Sequence, residues 1–516
     1  MSEKSRPPDP EAFLRVEPPG GDLKHRTARN AAITVGGQWA SFVLALGGTM
    51  VLARLLTPED FGLIAMVLAV VAFFSAFRDL GLSVATVRSQ KLTHAQASAL
   101  FWITLGMGGA IGLTLAALAP LVSWFYAEPR LTPIVLALAV GPVFSGVAAI
   151  PMALLRRRMA FGRVVGINLT SLAMGLVVGV GLAWMGWGYR ALVAKLLVEG
   201  AVTAGGAWLV TRWRPAPPRR TAGLRPLLAF GSYLSGSYVL SYFARNLDNI
   251  LIGRVAGSAA LGVYTKAYQV VQMPLRQVFG PISSAVLPAF SRLQDDPVRF
   301  RAYYRQGAML MASLGMPLVV LAGVAADRLV LVLLGAQWLG VAPLLRMLAP
   351  AAFVGTFYLT VDWVYLALGA THRQFRWTLI AEGATVIAFL VGIRWGPPGV
   401  AAAYSLMTVL LCGPGVHYAF RATPIRVGDL AGAIARPAVA SLMAGAVLWA
   451  GRGLLPDAMG ALTGLLIEAL GMTLLYAPLW YLLPGGRDAF QVLYEMRSVW
   501  RREESTEARA SGRKSG

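Results

Sequence analysis

Between residues 227 and 290 the chain sets polar and ionisable side chains into stretches that are otherwise apolar. Ser235, Tyr238, Ser241, Tyr242, Arg245, Asp248 and Asn249 lie in 227–253. At 100° per residue most of them share one side of a helix. In 259–290, Gln269, Gln272, Arg276 and Ser283 occupy a similar arc with Lys266 beside it, and Pro274, Pro281 and Pro288 repeat every seven residues. Such prolines kink a helix repeatedly along nearly one face. A charge at membrane depth is costly and normally faces a bundle interior or a watery cavity. Two neighbouring helices sharing this stripe offer a cavity that holds something negative. Nothing in the pattern reads as catalytic.

The elements that carry the stripe belong in a bilayer. Of 516 residues, 57% are hydrophobic and only 14% charged, against roughly a quarter charged in a soluble domain. The net charge of +22 is spread in short runs between apolar segments, which is a topology signal and not a nucleic-acid patch. The single cysteine, Cys412, excludes an intramolecular disulfide and a cysteine-based metal cluster.

Residues 1–30 are polar, Pro-rich and basic, without a signal peptide's apolar core, and read as a cytoplasmic tail. Six apolar segments follow within 31–211, then an Arg/Pro-rich linker at 212–226. Six more fill 227–420, two fill 421–483, and 484–516 is a basic cytoplasmic tail with amphipathic spacing. The expectation is an all-α integral membrane fold of about fourteen transmembrane helices. Loop charge supports that count. Alternate loops hold Arg88 and Lys91; Arg156, Arg157, Arg158 and Arg163; Arg212, Arg214, Arg219, Arg220 and Arg225; Arg292, Arg299, Arg301 and Arg305; Arg373 and Arg376; Arg421 and Arg426. The intervening loops hold one each: Arg54, Arg130, Arg190, Arg254, Arg328, Arg394 and Arg452. A miscounted helix would invert this alternation partway, and the bias puts both termini in the cytoplasm.

Leu52-Ala-Arg54 followed by Phe61-Gly62-Leu63 recurs, 200 residues on, as Ile252-Gly-Arg254 followed by Leu261-Gly262-Val263. Two six-helix lobes related by pseudo-two-fold symmetry, plus two C-terminal helices, is a transporter layout with its site between the lobes. The opening helix repeats the polarity with Asn30, Thr34, Gln38 and Ser41 on one face; helix–helix packing through small and polar residues would produce the same pattern.

The motif Leu52-Ala-Arg-Leu-Leu-Thr-Pro-Glu-Asp-Phe-Gly62 resembles the first loop of the Wzx-type (WzxC-like) polysaccharide flippases of the multidrug/oligosaccharidyl-lipid/polysaccharide (MOP) exporter superfamily. So do Asp79-Leu-Gly-Leu82, Leu155-Arg-Arg-Arg-Met-Ala-Phe161, Leu247-Asp-Asn-Ile-Leu-Ile-Gly253, Leu261-Gly-Val-Tyr264, Pro288-Ala-Phe-Ser-Arg292, Gly335-Ala-Gln-Trp338 and Ala342-Pro-Leu-Leu345. The resemblance implies a bacterial inner-membrane flippase, not an enzyme. It would move an undecaprenyl-diphosphate-linked oligosaccharide (an O-antigen, capsule or exopolysaccharide repeat unit) by alternating access. Its partners would be that substrate, membrane lipids and other polysaccharide-assembly membrane proteins, with no nucleic acid. Related lipid II flippases are similar in placing arginines in a central cavity, one of them on the first helix. Here that helix carries no internal charge, and Arg78 is the comparable first-half arginine.

On that reading Arg78, Arg245, Lys266 and Arg276 form an electropositive lining, because arginine's planar fork holds two diphosphate oxygens at once. Tyr238, Tyr242, Asn249, Gln269 and Gln272 would hydrogen-bond sugar hydroxyls or the diphosphate. The competing roles are an Arg245–Asp248 pair at i,i+3 and snorkelling or capping for Arg78, Arg276 and Lys266. Asp248, Asp362 and Glu382 would carry a coupling proton or sodium ion, or else partner a nearby arginine. Lys195 and Glu199, one turn apart, neutralise each other. His94, His372 and His417 lack ligand spacing. No metal or cofactor is expected; a proton or sodium gradient or the membrane potential supplies the energy, since no GK[ST] phosphate loop is present. A cation-coupled multidrug exporter of the same superfamily is the first alternative. A membrane glycan polymerase or glycosyltransferase is the second, and the short external loops speak against it.

Overall fold

The computed structural model describes residues 23–78, 86, 92–217, 225–421, 423–454 and 459–483. Among them there is no strand. Helices α1 (Leu23–Leu55) and α2 (Pro58–Arg78) are followed by α3 (His94–Tyr126), the short α4 (Leu131–Leu138), α5 (Gly141–Arg157), α6 (Phe161–Trp184) and α7 (Tyr189–Thr211). Then come α8 (Arg225–Ser291), α9 (Pro297–Val324), α10 (Ala326–Leu333), α11 (Val341–Ala367), α12 (Thr371–Gly392), α13 (Gly396–Phe420), α14 (Val427–Ala450) and α15 (Ala461–Leu482). The two tails and the amphipathic spacing in 484–516 lie outside the described residues, apart from the start of α1.

Local chemistry sets several of these boundaries. Thr57 caps α2: its hydroxyl accepts from the Asp60 amide at 3.3 Å, and Asp60 Oδ2 accepts from the Thr57 amide at 2.9 Å, the reciprocal arrangement of a capping box. Thr93 and Gln96 make another at α3. Asp296 caps α9, accepting from the Arg299 amide at 3.1 Å, with Pro297 at the first helical position, where a missing N–H costs nothing. The 67-residue α8 is two helices, broken at Gly257 with φ 83°, a backbone conformation open chiefly to glycine.

Among the described residues, ten stretches are long and apolar enough to cross a membrane, including Ala32–Leu55, His94–Tyr126, Leu131–Arg157 and Thr371–Phe420. Their outward side chains are apolar: Leu113 is 75% exposed and Leu209 78%. That much exposed hydrocarbon suits lipid as the solvent, so this is a multi-pass membrane protein.

The chain divides into two compact units. In the first, Met1–Lys266 with Phe389–Val400, α6 packs along α7 and α1, and α3 along α5. Leu100, Phe101, Ile150, Leu154 and Trp213 share a core there. The linker begins as ordered structure: the Trp102 indole donates to the Ala216 carbonyl at 2.8 Å, and the Ala216 amide to Ser98 Oγ at 2.9 Å. In the second, Ala267–Ala388 with Ala401–Gly516, α9 packs against α11 and α14, and α14 against α15. The Glu468 carboxylate, 1% exposed, takes Arg328 at 2.6 Å and Arg452 at 3.3 Å. A buried charge needs such pairing.

Candidate functional site

The two copies of the repeated motif meet in the first unit. A Cβ added to Gly62 would stand 1.7 Å from the Ser258 carbonyl oxygen, and one added to Gly262 would stand 1.9 Å from the Pro58 carbonyl oxygen. Residues 58 and 258, like 62 and 262, are equivalent under the 200-residue offset, so each copy's glycine receives the other's carbonyl. Only glycine permits backbones this close.

One turn past Gly262, the Lys266 ammonium sits 4.0 Å from the centroid of the Phe61 ring, a cation–π distance. Lys266 is 6% exposed, so it is buried and does not snorkel. Asp248 is buried in the same hairpin, accepting from the Tyr264 hydroxyl at 2.9 Å and the Asn249 amide at 2.7 Å. Asn249 is half-buried beside it.

The other expected site residues divide by unit. Gln269, Gln272 and Arg276 lie in the second unit on one arc of α8; Gln272 is half-buried, and Gln269 and Arg276 are exposed. Arg276 has no ion pair or hydrogen bond among the described residues. Asp362, half-buried on α11, accepts from Gln374 Nε2 at 3.0 Å, and Glu382 is half-buried on α12. Arg78 closes α2. The side chains of Arg78, Tyr238, Tyr242 and Arg245 lie outside the described residues, as do those of Ser235 and Ser241. Among the described residues no group of acidic, histidine or cysteine side chains is arranged to hold a metal ion.

A second polar place, not singled out from the sequence, lies between α5, α6 and α7. There an open cavity of about 380 Å³ is lined by Phe144, Ser145, Asn168, Ser171, Glu199 and Thr203, among others. Ser171 Oγ donates to the Glu199 carbonyl at 2.6 Å and accepts from Thr203 Oγ1 at 2.9 Å. Lys195 Nζ is 2.6 Å from Glu199 Oε1, as their spacing predicts. Glycines on α6 make the room: a Cβ on Gly175 would stand 2.4 Å from Glu199 Cγ, and one on Gly179 3.0 Å from Lys195 Cβ. The signal was present as two facing rows at spacing four, Ser171-Gly175-Gly179 and Lys195-Glu199-Thr203. A close-packed small-residue row opposite a charged row is how a membrane bundle admits polar groups.

Outside the spans, Arg130 ties the α3–α4 turn to the start of α2. Its guanidinium donates to both oxygens of Glu128, at 2.7 and 2.8 Å, and pairs with Glu59. The hydrogen bonds from Arg130 hold the Glu128 carboxyl below its ordinary 4.5.

Comparison with known proteins places this geometry in context. A family model described as "polysaccharide biosynthesis protein" matches residues 51–343. The lipopolysaccharide biosynthesis protein WzxC of Escherichia coli (strain K12) is 21% identical, the match covering 73% of this chain and 78% of the relative. The succinoglycan biosynthesis transport protein ExoT of Rhizobium meliloti is 26% identical, over 70% of this chain and 74% of its own length. Among solved structures, lipid II flippase MurJ in an inward closed conformation superposes with TM-score 0.70 at 16% identity, over 87% of this chain and 99% of MurJ. An inward-facing multidrug resistance MATE family transporter of the MOP superfamily superposes with TM-score 0.59 at 13% identity, over 78% of this chain and 99% of that one.

Proposed function

The chain belongs to the polysaccharide biosynthesis protein family, and from that premise we propose that it flips an undecaprenyl-diphosphate-linked oligosaccharide across the bacterial inner membrane. The proposed architecture has fourteen spans in two pseudo-equivalent six-helix lobes plus two C-terminal helices, with both termini cytoplasmic. The observation that carries the reading is Arg276. It is an exposed arginine, unpaired among the described residues, on an apolar helix that carries Pro274 and Pro281. An unpaired guanidinium facing hydrocarbon is expensive; facing a wet cavity, it is available to a passing phosphate.

A diphosphate headgroup is poorly solvated in hydrocarbon. Fixed cations in water lower that cost, and a rocking motion of the two lobes exposes them to each side in turn. The lipid tail stays in the bilayer. Moving about two negative charges outward, away from an interior about 100 mV negative, gains roughly 4–5 kcal/mol, so the potential suffices without ATP. The likeness to ExoT, a transport protein by its name, supports movement of glycan precursors over a polymerase reading. A cation-coupled drug exporter has the fold likeness alone in its favour.

Two variants test this in sealed vesicles carrying the purified chain and a lipid-linked oligosaccharide. Arg276→Glu and Lys266→Met should each slow glycan appearance on the far side by roughly tenfold or more, the effect of losing about 1.4 kcal/mol of charge-assisted binding. Wild-type rates in both variants would remove these cations from the mechanism, and an unchanged rate on collapsing the membrane potential would remove the proposed driving force.

A further inference from the structure

The cavity among α5, α6 and α7 is not an anion site. Its one carboxylate already holds Lys195 at 2.6 Å, so it presents close to zero net charge and suits neither a phosphate nor a metal ion. Resting on the flippase reading, we propose that this cavity is a subsite for a sugar ring of the transported glycan.

Size, lining and geometry agree. About 380 Å³ is at the small end of the roughly 300–1,000 Å³ of ligand pockets, room for a pyranose and some water. Phe144 supplies an apolar face; it is held by the core cluster of Ala148, Met152 and Ala204, and Gly200 lets the ring lie close, since a Cβ there would be 3.0 Å from Phe144 Cδ2. A sugar's C–H face packs on such a ring while its hydroxyls point sideways. The Asn168 amide, the Ser145 and Thr203 hydroxyls and the Glu199 carboxylate belong to residues that line the same cavity. Lys195 engages Glu199 Oε1 and leaves Oε2 without a hydrogen bond among the described residues. Ion pairing fixes that carboxylate as an acceptor, and Ser171 fixes Thr203 by accepting its proton at 2.9 Å, leaving the Thr203 oxygen free to accept. A site built of oriented acceptors in hydrocarbon surroundings rewards a ligand rich in hydroxyls and rejects one lacking them. An acyl chain would strand these groups unpaired.

The test uses the full chain in lipid nanodiscs, with methyl α-D-glucopyranoside and methyl α-D-galactopyranoside as probes, read by saturation-transfer difference NMR. Wild type should transfer magnetisation to ring protons of at least one of the two sugars. Asn168→Ala, on the exposed rim, and Phe144→Leu should each weaken that binding roughly tenfold, the loss of one hydrogen bond or one ring contact. Decane should not compete. Transfer absent in wild type, or equal in wild type and both variants, or abolished by decane, overturns the proposal. Its failure is separable from failure of the transport reading. Sugar binding lost in Asn168→Ala with no flux in any vesicle sinks transport alone, while flux in vesicles without sugar binding sinks the subsite alone.

Discussion

At the scale of single residues, polar side chains in hydrocarbon surroundings gain most from partners, and Arg276 has no ion pair or hydrogen bond among the described residues. Tyr264 donates to Asp248 at 2.9 Å in a buried place. Tyr264→Phe should lower stability by about 1–3 kcal/mol, the usual cost of losing a hydrogen bond to a charged acceptor, visible in thermal unfolding of the purified protein. The glycine crossing makes a sharper demand. Gly62→Ala and Gly262→Ala each press a methyl group into a backbone carbonyl, and overpacking of this kind costs about 1–3 kcal/mol. Because both substitutions open the same crossing, the double variant should cost less than the sum; full additivity would mean the two contacts are independent. Much of this was legible in the sequence. The 200-residue offset marked Gly62 and Gly262, and the spacing of Lys195 and Glu199 announced their pairing. What the sequence could not show is that Gly62 lands on residue 258 and Gly262 on residue 58, because periodicity along a chain says nothing of which backbones touch. Nor could it show that Lys266 turns inward onto Phe61, since a lysine near a helix end is equally able to reach the headgroups.

Among elements, the helices followed from apolar runs and their boundaries from capping chemistry. Thr57 with Asp60 and Asp296 with Pro297 are readable start signals, and Gly257 is a readable break between the arms of α8. The α4–α5 break within one apolar run was missed although Gly141-Pro142 marks it at the start of α5, a proline being accommodated in a helix's first turn. The linker was expected as a connection, but Trp102 and Ser98 hold its first residues against α3, a tertiary effect that composition does not encode. Arg130 does similar service outside the spans, joining α2 to the α3–α4 turn. Because Arg130 lowers the Glu128 carboxyl below 4.5 in the folded chain, the stabilisation is complete above that value and drains away as pH falls through the lowered one. The unfolding temperature of Glu128→Gln should therefore lie below wild type at neutral pH and converge on it in acid. A constant gap down to strongly acidic pH would show that the contact does not depend on the carboxylate's charge.

For the whole molecule, composition and loop charge were enough to place the chain in a membrane, and the motifs were enough to place it among polysaccharide biosynthesis proteins. The candidate site was harder to read. The proposed cations stand out in the sequence because charge in an apolar helix is conspicuous, whereas the polar cavity of the first unit is made of ordinary serines, threonines and an already neutralised pair. Topology has its own check: cysteines introduced near each terminus into a Cys412→Ala background should react with a membrane-impermeant maleimide only after the cells are opened, as two cytoplasmic termini require. The most direct measurement remains transport itself, in sealed vesicles holding only this chain and an undecaprenyl-diphosphate-linked oligosaccharide. The fraction of glycan open to an externally added glycosidase should rise with protein content and stay low for Arg276→Glu. A glycan as well shielded as in protein-free vesicles, or equally exposed by the variant, would contradict the account.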